Sequence, residues 1–199
     1  MTVFRAGHAW VGDGVVDDVD IAVVDGVIAS VTPVAPETRA DVELPGVVLP
    51  GFANAHSHAF HRALRGRTHG DGGTFWTWRE RMYELSAVLD PESYYALARG
   101  VYGEMALAGV TCVGEFHYVH HAPGGTPYSD PNAMGEALRS AAHDAGIRLT
   151  LLDTCYLAGG LGADGHVPLS PEQLRFGDGS AAAWGRRVSA LRGDDRTRI

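Results

Sequence analysis

The chain has 199 residues, 45% of them hydrophobic, which is enough for one ordinary domain or two small ones with a proper core. Its formal net charge of −8 and pI near 5.6 give no electrostatic footprint for nucleic acid, and no apolar stretch approaches the roughly 20 residues that span a bilayer. Neither nucleic acid nor membrane is therefore an expected partner, and the start "MTVFRAGHAWVGDG", without basic or apolar leader regions, fits a reducing cytoplasm, as does the presence of only Cys112 and Cys155.

Residues 1–49 read as short β-prone pieces. In "DVDIAVVDGVIASV" the pair Asp25-Gly26 stands between Ile21–Val24 and Val27–Val31, as a hairpin turn should. This predicts a small β domain. The run Val47, Val48, Leu49 reads as a buried strand, punctuated by Pro50 and Gly51. From residue 50 onward the pattern changes to strands alternating with helices. Asp90-Pro91 caps the helical stretch "ESYYALARGVYGEMALA", and Gly109 ends it before the strand "VTCVGEFHY". Asp130-Pro131 starts a further helix, Gly146 closes it, and "IRLTLLDTCY" is the next strand. Ser170-Pro171 opens another helix by the same rule. After that the tail "GDGSAAAWGRRVSALRGDDRTRI" shows no further element.

Strand followed by helix, repeated, is the pattern of a parallel β/α fold, whose chemistry gathers where the strands end. His56 and His58, the stretch Glu115 to His121, and Tyr156 all fall at such ends. In "NAHSHAF" the two histidines stand one residue apart, so a strand aims both at one face, roughly 6–7 Å apart along the chain. Two imidazoles directed into one space suggest a metal site. There is no lysine to bridge two metals, since all sixteen basic residues are arginine.

With His-x-His at the end of the first parallel strand, after a small β domain, the chain resembles the amidohydrolase superfamily of metal-dependent hydrolases. Three stretches, "GFANAHSHAFHRALRG", "TFWTWRERMYEL" and "EFHYVHHAPGGTPYSDP", resemble its formimidoylglutamate deiminases in particular. The resemblance implies an α/β fold: the N-terminal part of a (β/α)8 TIM-like barrel, about three βα units over residues 50–199. Before it, residues 1–49 form part of a small β-sandwich domain. It also implies a metal-dependent hydrolysis, N-formimino-L-glutamate and water giving N-formyl-L-glutamate and ammonia. The expected metal is one zinc per complete site, with Fe2+ or another divalent ion as the substitute. His56 and His58 match the metal ligands, while Arg79 and Tyr118 match substrate-binding residues. His61 stands where many relatives carry glutamine, and an imidazole there still donates or accepts one hydrogen bond. The catalytic proton-transfer groups and the remaining ligands are expected beyond Ile199, so the chain is expected to be inactive alone and a homodimer when complete. Two alternatives stay open: another deaminase or chlorohydrolase of the superfamily, and a non-catalytic metal-binding remnant.

The other aromatic and histidine residues receive plainer readings. Trp76, Trp78, Tyr83, Tyr94 and Tyr95 are expected to pack against a core. His117, His120 and His121 are expected in supporting or loop roles, not in a second metal cluster. Glu115 is open between accepting a proton and orienting a neighbour. His8, His69, His143 and His166 are expected at the surface.

Overall fold

The computed structural model describes residues 1–68 and 73–199, so His69 lies outside the described residues. Contacts divide the chain into two compact units, Met1–Gly51 and Phe52–Ile199.

In the first unit Asp25 and Gly26 both adopt positive φ, 50° and 77°, the backbone a tight two-residue hairpin needs. They join strands β2 (Gly14–Val24) and β3 (Val27–Pro33). With β1 (Thr2–Val11) and β4 (Val42–Val48) these form a sheet in the order β3-β2-β1-β4, in which only the β1/β4 pair is parallel. Its buried core is small, Ala6, Ala9 and Val19. Val47 and Leu49 are not buried as expected but 53% and 52% exposed. They lie on or just after an edge strand of a sheet whose core is three small side chains, so nothing in this unit covers them.

The second unit is built on a four-stranded sheet of order β10-β7-β6-β5, parallel throughout: β5 (Phe52–Ser57), β6 (Val110–His117), β7 (Arg148–Asp153) and β10 (Thr197–Arg198). Helices α1 (Phe75–Val88) and α2 (Pro91–Leu107) lie between β5 and β6, and α3 (Ala133–Ala145) between β6 and β7. Two of the caps are those the sequence announces, whereas Asp130-Pro131 forms a turn and α3 starts only at Ala133, with Asn132 as a cap that makes no side-chain capping bond. Asp90 accepts from the Ser93 amide at 2.8 Å while the Ser93 hydroxyl receives the Asp90 amide, a reciprocal box in which replacing the cap by alanine costs about 1 kcal/mol. Gly146, at φ 78°, is the left-handed terminator of α3.

Two expectations fail in the last thirty residues. Ser170-Pro171 opens only a turn leading into the single 3-10 turn Leu174–Phe176, with the short hairpin β8 (Gly160–Gly162) and β9 (Gly165–Val167) just before it. The tail, for its part, is ordered. Ser180 accepts from the Ala183 amide at 3.1 Å and caps α4 (Ala181–Val188), after which Thr197–Arg198 adds a fourth parallel strand beside β7. Arg175 accounts for the first difference. It is 2% exposed and donates to the carbonyls of Ser86, Leu89 and His121, tying the end of α1 to the loop after β6, a geometry incompatible with a solvated helix face.

The core between sheet and helices contains Phe60, Tyr94, Tyr102, Met134, Leu138, Leu149, Leu151 and Phe176, all 1% exposed or less. Among the described residues no helix is long and apolar enough to cross a membrane.

Candidate active site

Because β5, β6 and β7 run parallel, their carboxyl ends share one edge, and the residues just beyond them are brought together. β5 ends at Ser57, one residue earlier than His-x-His suggests, so His58 sits at the turn into a 3-10 helix, Ala59–Leu64. The two histidine side chains converge. Their Nε2 atoms are 3.1 Å apart, with ring planes at 76°. His58 Nδ1 lies 3.2 Å from the Phe116 carbonyl, which fixes the proton on Nδ1 and leaves an Nε2 lone pair facing His56. Burial holds the His58 pKa below the ordinary histidine range, only partly offset by that hydrogen bond, with His56 adding to the depression. Two nitrogens at 2.0–2.1 Å from a tetrahedral zinc stand about 3.3 Å apart, so the pair fits two corners of such a site. Among the described residues no third histidine, cysteine or carboxylate joins them.

Behind the pair, Glu115 on β6 is fully buried and accepts the Ala59 amide at 2.6 Å. Burial pushes its carboxyl up to about 7, against the pull of the Ser57 hydroxyl and the Ala59 amide. Its second oxygen has no partner among the described residues. The contact to Ala59 orients the backbone beside His58, so of its two open roles the structure displays the orienting one.

The 3-10 turn places His61 against Tyr118, with Nε2 2.8 Å from the hydroxyl. Burial, reinforced by His58 and His56, takes His61 down to about 4, and burial raises the Tyr118 phenol, so both are neutral near pH 7. Across from them α1 presents Arg79. Its Nε donates to the Tyr83 hydroxyl at 2.6 Å, and its guanidinium carbon lies 5.1 Å from the Tyr83 ring and 5.6 Å from the Trp76 ring. A cleft of about 370 Å³ joins these groups. His58, His61, Tyr118 and Arg79 line it, together with Trp78, Tyr83, Tyr156 and Gln173. Tyr118 and Tyr156 stack with centroids 5.6 Å apart. The cleft thus combines the half-buried His58, with the exposed His56 beside it, neutral hydrogen-bonding groups along the wall, and the Arg79 cation.

Sequence reasoning missed part of this wall. Tyr83 and Trp78 pack against the core as expected, yet they also face the cleft. Their spacing from Arg79, i+4 and i−1 on one helix, was the available signal for Tyr83. Tyr94 is wholly buried, Tyr95 half-buried, and Trp76 is 63% exposed and so not packed. Gln173 carried no signal. His8, His143 and His166 are exposed.

His117, His120 and Asp153 form a separate buried group, with ligand atoms within 4.8 Å of one another, that could hold a metal. His120 Nε2 faces the Thr154 carbonyl at 2.8 Å, and its Nδ1 is 3.3 Å from His117 Nε2. A cation is already present there. Arg187 donates to both oxygens of Asp153, at 2.9 Å each, and to both of Asp178, at 2.8 and 2.9 Å. His121 adds a contact to Asp178 at 3.1 Å. Burial disfavours the Arg187 charge, but these bonds outweigh it and hold the guanidinium ionised. Burial drives His117 and His120 down, His120 to about 4, so both are neutral spacers in a network that ties α4 to the ends of β6 and β7. The sequence reading kept these histidines out of a metal cluster, whereas His117 and His120 do stand with Asp153 as a possible ligand set.

The sequence profile of the Amidohydrolase family matches residues 47–181, and the chain belongs to that family. Its α/β fold, with a parallel sheet edged by helices, is that of the family's β/α barrel enzymes, of which it supplies four strands. The formimidoylglutamate deiminase of Pseudomonas aeruginosa is 46% identical to it over 161 residues, 79% of this chain and 35% of that protein. A 5-methylthioadenosine/S-adenosylhomocysteine deaminase from Teredinibacter turnerae is 31% identical over 116 residues, 57% of this chain and 22% of that one. Among solved structures, an amidohydrolase from Brucella melitensis superposes on the entire chain with TM-score 0.84 and 32% identity, the chain covering 45% of it. An atrazine chlorohydrolase variant from Arthrobacter aurescens, complexed with zinc and atraton, shares the fold at TM-score 0.74 and 21% identity, with 100% of this chain and 46% of that one covered. The chain therefore spans about a third of the deiminase and under half of these solved structures.

Proposed function

We propose that the protein is a metal-dependent deiminase of N-formimino-L-glutamate, releasing ammonia and N-formyl-L-glutamate with water as the second substrate. The observation that carries this is one cleft lined by both Arg79 and His58, the latter paired with His56 at 3.1 Å, as a substrate with a reacting amidine and a remote carboxylate requires. The 46% identical deiminase supports the same substrate.

On this reading His56 and His58 would hold a zinc through their Nε2 atoms, His58 being kept in the right tautomer by the Phe116 carbonyl. When bound, the metal supplies Lewis acidity that makes water nucleophilic near neutral pH. Arg79 binds a carboxylate of the glutamate moiety through a planar charge-assisted pair. Tyr118 and His61, already hydrogen-bonded to each other, position the polar atoms of the substrate between the two ends. Tyr156 and Trp78 supply apolar walls that keep bulk water from the reacting bond. No group among these 199 residues is assigned the proton transfers.

The test is ammonia release by the zinc-loaded full-length gene product from N-formimino-L-glutamate, 5′-methylthioadenosine and S-adenosylhomocysteine, with chloride release from a chlorotriazine measured in parallel. The proposal expects turnover of the first at least about a hundredfold above the others, since a site built around an ionic pair rejects ligands that leave it unpaired. A preference for a nucleoside or triazine would replace it.

A further inference from the structure

Tyr83 stands one helical turn after Arg79 on α1, and helical side chains lean toward the N-terminus, so its ring folds back over the guanidinium. Three contacts define the result. The Tyr83 hydroxyl accepts from Arg79 Nε at 2.6 Å, and the Tyr83 ring lies 5.1 Å from the guanidinium carbon. From behind, Phe176, itself wholly buried, holds the Tyr83 ring at 6.1 Å between centroids.

A guanidinium grips a carboxylate through two parallel N–H bonds, either side-on by Nε and one terminal nitrogen or end-on by both terminal nitrogens. With Nε occupied by Tyr83, only the end-on edge is left. Among the described residues that edge makes one hydrogen-bond contact, a long 3.5 Å approach of Nη2 to the Gly159 carbonyl. The Tyr83 hydroxyl lines the same cleft, and it makes no donated bond to another of the described residues.

We propose that Tyr83 is the positioning and specificity residue of this site: it occupies Arg79 Nε, forces the anionic end of the ligand onto the Nη1/Nη2 edge, and offers its own O–H beside that edge. The proposal rests on the cleft binding a carboxylate-bearing amidine, as argued above. It predicts that the far end of the ligand is held better as a planar carboxylate than as a phosphate or an uncharged group.

The experiment compares the full-length gene product with Tyr83→Phe and Arg79→Lys, each zinc-loaded, on N-formimino-L-glutamate and on carboxylate-free formamidine. Tyr83→Phe keeps the ring packing and removes only the hydroxyl. Its KM for N-formimino-L-glutamate is expected to rise about tenfold, the scale for one hydrogen bond to a charged group, with kcat changed less than about threefold. Its kcat/KM for formamidine is expected to stay at the parent value. Arg79→Lys, which cannot form the bidentate pair, is expected to raise the same KM at least as far. Equal losses on both substrates would mark Tyr83 as merely structural, and no change on either would show that Arg79 needs no orienting; each overturns the proposal. A parent enzyme that shows no preference for the carboxylate-bearing substrate overturns instead the functional reading beneath it.

Discussion

Arg187 is the single cation between two buried carboxylates, and replacing it by methionine isolates what that arrangement contributes. The residue is 8% exposed, and its side chain forms bidentate pairs with both Asp153 and Asp178 plus a 3.1 Å bond to Asn132. Removing one partner of a buried, hydrogen-bonded ion pair costs about 3–5 kcal/mol, because the remaining charge is left uncompensated. Against a total stability of about 5–15 kcal/mol this is a large fraction, and at an m-value of about 2 kcal/mol/M it moves a urea midpoint down by about 2 M. The loss carries a pH signature. In the parent protein burial tends to raise both carboxyls, but the Arg187 bonds and neighbouring histidines outweigh it and hold them below the usual range. They therefore add stability above about pH 4, and that contribution disappears as pH falls through their folded values. In Arg187→Met only burial and the weaker His120 and His121 contacts remain, so the folded carboxyls rise and the variant loses stability as pH climbs past about 4. Urea unfolding at pH 4, 5.5 and 7 should show the penalty growing with pH. A penalty under about 1 kcal/mol, or one that is flat across that range, would refute the view that the guanidinium neutralises this cluster.

Arg79→Ala is expected to lower kcat/KM for N-formimino-L-glutamate by about thirtyfold or more, from the roughly 2–5 kcal/mol of a desolvated charge pair, while zinc content by plasma emission stays at the parent level. His56→Ala should do the reverse, losing zinc and rate together, and retention of both would mean that the ligands are wrongly assigned. His61, held at about 4 chiefly by burial, should show ring NMR shifts that stay flat from pH 8 down to about 5.5; a midpoint above 6 would contradict its placement. The same depression means that the unfolded chain binds protons at His61 more readily, so this residue lowers stability as pH falls below about 6.5.

What the sequence made legible was local. Asp25-Gly26, Asp90-Pro91 and Gly146 each encode a backbone geometry within a few residues, and each forms the turn or cap expected. His56 and His58 were readable because a two-residue spacing at a strand end needs no knowledge of the rest of the fold. α4 and β10 were not, being eight and two residues long, below the length at which periodicity speaks. Arg175 and Arg187 were invisible for a different reason: arginine reads as surface, and apart from Asp178, nine residues before Arg187, the groups that let them be buried lie 34 to 89 residues away in sequence. Tyr83 lay between these cases, since its spacing from Arg79 was visible but its exposure to the cleft depends on where β6 and β7 end.

The claim that the cleft joins a metal-holding histidine pair to an anion-holding arginine is tested most directly by a crystal structure of the zinc-loaded full-length gene product with L-glutamate, using anomalous scattering at the zinc edge. The account predicts one anomalous peak about 2.0–2.1 Å from both His56 Nε2 and His58 Nε2, and a glutamate carboxylate against Arg79 Nη1 and Nη2. A peak lodged instead among His117, His120 and Asp153, or a glutamate bound away from Arg79, would contradict it.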